Sequence, residues 1–185
     1  MENKVKQILY FLLISLTFSC IRDPEKVAKE GLKAIEKKEQ ANSGINALLD
    51  SVNIAAAEAD FKTYFKSFAG NATYNGTDAT ENWDQAWLMI LTKPRFDAKK
   101  TWNFKSVRRN IYRSDKYDDI AWFDELLSTP MKICRGSGVV IKENGRWKIQ
   151  QYVLSVTIPK SKLDAVVALK AAEEDYLLTS IKKTK

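Results

Sequence analysis

Residues 132–157, KICRGSGVVIKENGRWKIQQYVLSVT, decide the fold. Apolar and β-branched residues recur at every second position before Asn144-Gly145 (Ile133, Val139, Ile141) and after it (Trp147, Ile149, Val153). Alternation flanking Asn-Gly is the strongest short-range signal for a two-residue β-hairpin, because both turn positions need positive φ. Strands are therefore expected at 132–142 and 146–157. Gly136 and Gly138 fall inside the first of them, where glycine permits sharp bending or close backbone approach. Period two continues upstream, with strands expected at 101–113 and 119–128, broken by Ser114-Asp115 and by Thr129-Pro130. Four strands joined by short turns make an antiparallel meander.

Ahead of the meander the period becomes helical. Ile45, Leu48, Leu49 and Val52 follow the i, i+3, i+4, i+7 spacing of a helix with one buried face. Phe61, Tyr64, Phe65 and Phe68 repeat it, with Asp60 as N-cap and Gly70 as the stop. A short strand at 72–74 leads into an Asn75-Gly76 turn. Asp78 and Glu81 form a capping-box pattern for a third helix that carries Trp83, Trp87, Ile90 and Leu91 on one face and closes at Pro94. Beyond Pro159, residues 160–182 are expected to form an amphipathic helix through Leu163, Val166, Val167, Leu177, Leu178 and Ile181. There is no internal repeat. The sequons at Asn71 and Asn75 read as turn chemistry.

Composition narrows the chemistry. The 185 residues are 45% apolar and 29% charged with 7 Gly and 4 Pro, which excludes collagen-like, low-complexity and disordered chains. Histidine is absent, so the usual general base near neutrality and the commonest metal ligand are missing. The two cysteines, Cys20 and Cys134, support neither a disulfide framework within the domain nor a Cys-rich zinc site. No Gly-rich phosphate loop or Ser-His-Asp arrangement is present, and neither a metal nor a cofactor is expected. Net charge is +7, yet Lys26, Lys29, Lys33, Lys37 and Lys38 alternate with Glu25, Glu30, Glu36 and Glu39, the pattern of a solvated helix. Lys105, Arg108, Arg109 and Arg113 belong to no nucleic-acid module. Nucleic acid is not an expected partner.

The first residues read as an address. Lys4 and Lys6 precede a 12-residue apolar stretch, Ile8 to Ser19, too short to span a bilayer and typical of a secretion signal. Leu16-Thr17-Phe18-Ser19-Cys20 resembles a bacterial lipobox. That resemblance implies cleavage before Cys20 and acylation of its thiol, giving a stable lipid anchor. Ile21 stands where an inner-membrane retention signal places Asp, so outer-membrane localisation is expected. The expected organisation is a lipoprotein signal peptide at 1–19, an anchor and charged helical stalk at 20–43, a domain at 44–158, and a C-terminal helix with a basic tail at 159–185. The mature chain keeps a charge of +6, since residues 1–19 contain Lys4, Lys6 and Glu2. Anionic headgroups around the anchor are the natural partner for that excess.

Five motifs then occur in order: Gly76-Thr-Asp-Ala-Thr-Glu81, Ala121-Trp-Phe-Asp-Glu125, Arg135-Gly-Ser-Gly-Val139, Gly145-Arg-Trp-Lys-Ile149 and Leu154-Ser155. With the element order, they resemble the SnoaL-like (polyketide-cyclase-like) branch of the nuclear-transport-factor-2-like (NTF2-like) superfamily. The resemblance implies an α+β fold, a cone made by a curved antiparallel sheet wrapped around the N-terminal helices, often homodimeric through the sheet. The C-terminal helix is an addition. Members include isomerases, cyclases, dehydratases, epoxide hydrolases and binding or assembly modules with no chemistry, so a His-free enzyme here would be of the isomerase, cyclase or hydratase type. Where the family often carries two His on the last strand, this chain has Gln151 and Val153, which removes that acid–base pair.

Strand alternation selects the candidate pocket. On the last strand Trp147, Ile149, Gln151, Val153 and Ser155 share a face, which the resemblance places inside. Arg135 shares a face with Ser137 and Val139. Phe123 and Glu125 oppose Trp122 and Asp124, and a one-residue slip exchanges the two sets. Arg135 is expected to project into the cone and pair with Glu125, or with Asp124 after a slip. It then either grips a ligand carboxylate or phosphate, or locks the strands. Glu125 and Asp124 are the candidate acid–base groups, Tyr112, Tyr152, Gln151 and Ser155 the candidate orienting groups. Trp83, Trp87, Trp122 and Trp147 are candidate aromatic walls, and Cys134 is an inert buried thiol. Three readings follow: an anchored module binding a small, partly aromatic or anionic molecule; a His-free enzyme using a buried carboxylate; or a protein-interaction module. A roomy cone whose charges are already paired favours the first.

Overall fold

A computed structural model describes residues 23–183; the stretch read as a signal peptide and Cys20 lie outside the described residues. The elements run α1 (Pro24–Ala57), α2 (Phe61–Lys66), β1 (Phe68–Asn75), β2 (Asn82–Asp84), α3 (Gln85–Asp97), β3 (Lys105–Arg113), β4 (Ile120–Thr129), β5 (Lys132–Glu143), β6 (Arg146–Val156), a 3-10 turn (Lys160–Lys162) and α4 (Leu163–Lys183). The chain separates into two compact units at Ser43/Gly44. Up to Ser43 the described chain is the charged first part of α1, exposed along nearly its whole length. The second unit holds the entire apolar core, drawn from residues 45–154.

The six strands form one sheet in the order β2-β1-β6-β5-β4-β3. The meander β3–β6 is antiparallel as expected, and β1 adds to β6 in parallel, so the sheet is mixed. Asn144 and Gly145 both have positive φ, 50° and 74°, the requirement of the two-residue turn between β5 and β6. Register shifts interrupt β1, β3 and β6. Such bulges increase local twist and bend a sheet around what it covers. Here that is Ile45, Leu49 and Val52 of α1, Tyr64 and Phe65 of α2, and Leu88 and Phe96 of α3.

Several boundaries move from their sequence-based positions. α1 passes unbroken through Asn42-Ser43-Gly44, and Gly44 lies against Trp147, where a Cβ would sit 3.1 Å from Trp147 Cδ1. Gly70 ends no helix; α2 stops at Lys66, and Gly70 lies in β1. Asp78 does not cap a helix either. It accepts from the backbone and hydroxyl of Thr80 at 2.8 and 2.6 Å, closing a turn, while Glu81 accepts from the Asp78 N–H at 3.2 Å. Asp84 is the N-cap of α3, accepting from Trp87 N at 2.8 Å, and Trp83 is in β2. Pro94 sits inside α3 on its exposed side, where the helix continues to Asp97. The expected strand from 101 pairs only from Lys105. α4 forms, but none of its residues is buried.

Candidate functional site

β4 alternates cleanly. Ala121, Phe123, Glu125 and Leu127 turn into the core, and Trp122 and Asp124 turn out. Glu125 is 1% exposed, and burying a carboxylate demands a partner. The cation is Arg109, its cross-strand neighbour on β3, whose side chain is 8% exposed. Arg109 Nε donates to Glu125 Oε2 at 3.0 Å; Nη2 lies 2.9 Å from the same oxygen as an ion pair, without hydrogen-bond alignment. Nη1 reaches Asp50 Oδ1 at 2.9 Å and donates to Asn46 Oδ1 at 3.2 Å. The Tyr152 hydroxyl donates to Glu125 Oε1 at 3.3 Å. Gly136 makes room for that bond, since a Cβ there would lie 2.4 Å from the Tyr152 oxygen.

Arg135 is not part of this network, which corrects the expected inward projection. β5 turns Cys134, Gly136 and Val140 inward and Arg135 outward, where its half-exposed side chain lies 3.5 Å from Asp124 Oδ1. The Arg135–Asp124 pair therefore forms without any slip, on the outer face. Asp124 also accepts from the Tyr112 hydroxyl at 2.9 Å, a bond that raises the phenol pKa. Tyr112 stacks on Trp122 there, centroids 6.2 Å apart, so both aromatics lie outside the cone.

Gln151 and Ser155 are corrected in the same way. The β5–β6 register steps from Val140↔Ile149 to Val139↔Gln151, leaving Gln150 as an extra residue. Parity reverses there: Tyr152 and Leu154 turn inward while Gln151 and Ser155 are exposed. A Cβ on Gly138 would sit 2.1 Å from the Gln151 carbonyl oxygen, so glycine permits the bulge. Trp147 is half-buried at the core edge, under the cations of Arg113 and Lys142. Trp87 is on the outside of α3, 58% exposed. Cys134 is fully buried.

A cleft of about 520 Å³ opens between α3, the β1–β2 loop and the β4–β5 turn. This is within the size range of small-molecule sites. Tyr74, Trp83, Leu88, Leu91, Trp102, Phe104 and Leu154 supply its apolar wall, and Arg95 and Glu81 its charges. Trp83 stacks on Tyr74 at 6.3 Å, and Tyr74 stacks on Tyr152 at 5.5 Å, so an aromatic ladder runs from the cleft to Glu125. Glu125 itself does not line the cleft. Among the described residues Arg95 forms no ion pair, and Glu81 already accepts the Asp78 N–H. The Thr92 hydroxyl donates to Leu88 O at 2.7 Å.

Burial holds the Tyr152 phenol well above its usual pKa, with Glu125 adding to the effect. Burial, then Glu81, raises Tyr74, and burial, then Tyr74, raises Tyr64. These phenols are neutral at physiological pH, and that of Tyr152 serves as a hydrogen-bond donor rather than a base. No cluster of three potential metal ligands occurs among the described residues.

Sequence reasoning missed Arg95 and Arg109. Arg109 is legible only through the β3–β4 register, which a bulge between Ser106 and Arg108 resets. Arg95 lies four residues after Leu91 on α3, and that spacing is the signal that places it on the cleft wall.

Compared with known proteins, residues 45–159 match the family model described as the SnoaL-like domain. No curated protein matches the chain. Solved structures do. A domain of unknown function with a cystatin-like fold from Nostoc punctiforme PCC 73102 superposes with a TM-score of 0.57 at 13% identity, covering 78% of this chain and 96% of that one. An uncharacterized protein with a cystatin-like fold from Caulobacter vibrioides gives 0.56 at 10% identity, covering 71% and 99%. An NTF2-like protein of unknown function from Pseudomonas putida KT2440 gives 0.55 at 12% identity, covering 65% and 89%. At such identities the likeness concerns the fold alone.

Proposed function

Since the chain belongs to the SnoaL-like domain family and has the NTF2-like fold, we propose that its cleft binds a small amphiphilic anion with an aromatic or apolar body and performs no chemistry on it. One contrast carries this reading. The buried carboxylate that acid–base catalysis would need is already paired with Arg109 and lies off the cleft, whereas the cleft's Arg95 forms no ion pair among the described residues. An unpaired guanidinium on an apolar wall grips a carboxylate, sulfonate or phosphate through its planar fork while Trp83, Tyr74 and Trp102 hold the apolar part.

The probe is 1-anilinonaphthalene-8-sulfonate, an aromatic anion. Fluorescence titration of residues 22–185 is expected to saturate at one site, and Arg95→Ala to weaken it by about tenfold to a hundredfold, the value of a charge-assisted hydrogen bond. Arg135→Ala is expected to leave it unchanged. Equal affinity for Arg95→Ala overturns the reading. The same proposal includes lipid anchoring at Cys20 in the outer membrane: Cys20→Ser is expected to release the protein into the soluble fraction, and continued membrane association would refute the anchor. Homodimerisation through the outer face of the sheet, where Trp122 and Ile133 are exposed, is tested by sedimentation velocity with Trp122→Glu.

A further inference from the structure

Beside the cleft lies a second, much smaller space of about 10 Å³, room for about one water-sized group. Tyr74, Trp102 and Phe104 line both, so the two adjoin along these side chains. The aromatic ladder is their common floor: Trp83 lines the cleft, Tyr74 lines both, and Tyr152 lines the inner space. The inner lining is polar without being charged. Asn53 of α1 joins the phenols of Tyr64, Tyr74 and Tyr152 there, and among the described residues no cation or carboxylate does. Tyr152 donates to Glu125 and keeps its oxygen free to accept. The Tyr64 hydroxyl and the Asn53 side chain form no hydrogen bond among the described residues, although Tyr64 is only 2% exposed. Burial, then Glu125, then Tyr74 and Tyr64 oppose ionisation of Tyr152, and burial, then Tyr74, oppose that of Tyr64. The three phenols therefore lie near one another and stay neutral.

A buried phenol without a partner forgoes the bond it would make in water, and a bound oxygen restores that bond. We infer that the inner space is the far end of the ligand site and reads one neutral oxygen, a hydroxyl or a carbonyl, on the end of the ligand's apolar body opposite its anion. The inference rests on the ligand-binding reading above and narrows the ligand class to amphiphiles with an anion at one end and an uncharged oxygen at the other. Tyr64 and Asn53 donate to that oxygen, and Tyr152 accepts from it when it is a hydroxyl. A second anion is rejected, since it would give up its hydration and meet no cation there.

The probes are dodecanoate, 12-hydroxydodecanoate and dodecanedioate, each competing with anilinonaphthalene sulfonate on residues 22–185, which retain the whole core. An apolar end wall would weaken the hydroxy acid about tenfold relative to dodecanoate, because its hydroxyl would lose water and gain no partner. The hydroxy acid is expected instead to bind at least as tightly as dodecanoate, and the diacid at least tenfold more weakly than the hydroxy acid. Tyr64→Phe keeps the ring and is expected to weaken the hydroxy acid about fivefold relative to dodecanoate, the value of one neutral hydrogen bond. Asn53→Ala, at a half-buried helix position, repeats that comparison should Tyr64→Phe alter the thermal melt. A hydroxy acid weaker than dodecanoate, a diacid as tight as the hydroxy acid, equal effects on both monoacids in both variants, or no displacement by any of the three overturns the inference. Dye binding that still depends on Arg95 leaves the ligand-binding reading standing after such a failure, whereas absence of dye binding removes both.

Discussion

Arg109→Met removes, among the described residues, the one cation paired with a carboxylate that is 1% exposed. Glu125 would keep only the Tyr152 hydroxyl, at 3.3 Å. Breaking a buried pair from one side costs about 3–5 kcal/mol because the remaining charge stays uncompensated. For a chain of this size that corresponds to roughly 6–20 °C in Tm. The reverse single change, Glu125→Leu, is milder at about 1–3 kcal/mol, since Arg109 keeps Asp50 at 2.9 Å and Asn46 at 3.2 Å. Replacing both by apolar residues of similar volume leaves no orphaned charge, and the double variant is expected within about 2 kcal/mol of the parent. Urea melts of residues 22–185 and the three variants at pH 7 give the cycle directly. Losses that simply add, or an Arg109→Met loss below about 1 kcal/mol, would refute the assignment of Arg109 as the compensating charge.

Gly138→Ala forces a Cβ to 2.1 Å from the Gln151 carbonyl and is expected to cost about 1–3 kcal/mol of stability, read by the same melts; a neutral outcome would deny the close approach. The phenols of Tyr64, Tyr74 and Tyr152 are held above their usual pKa of 10.0, so the unfolded chain loses these protons first as pH rises. Stability is therefore intact below pH 10 and falls above it, by up to about 1.4 kcal/mol per pH unit for each phenol. Tyr64→Phe is expected to make the decline between pH 9 and 11 shallower, and a flat parent profile would contradict the burial. Lys99 closes α3 at φ 51°, with Lys100 N donating to Arg95 O at 2.9 Å and Lys99 N to Phe96 O at 3.1 Å. Lys99→Gly is expected to raise stability by about 1 kcal/mol, measured as a rise in Tm, by relieving the left-handed strain.

Short-range chemistry was legible from the chain alone. Asn144-Gly145 specified the hairpin because few dipeptides accept two positive φ angles in succession. Asp60 capped α2 as read, accepting from Thr63 N at 3.0 Å. Alternation placed Phe123 and Glu125 on one face, and the five ordered motifs carried the family resemblance that the match over 45–159 supports. Trp83 apart, the contents of the cleft were not legible, because strand parity accumulates along the chain and one extra residue reverses everything after it. Gln150 is that residue in β6; it turned Tyr152 inward and left Gln151 and Ser155 outside. Its insertion depends on Gly138 lying against Gln151 from the neighbouring strand, a contact between residues 13 positions apart. Arg109 likewise became the partner of Glu125 only through the β3–β4 register, while the parity of β5 puts Arg135 on the outer face. The sequence by itself determined where the chain turns, since turning is a local conformational property. Only the tertiary structure decided which side chains face the cleft, since that depends on how separate strands align.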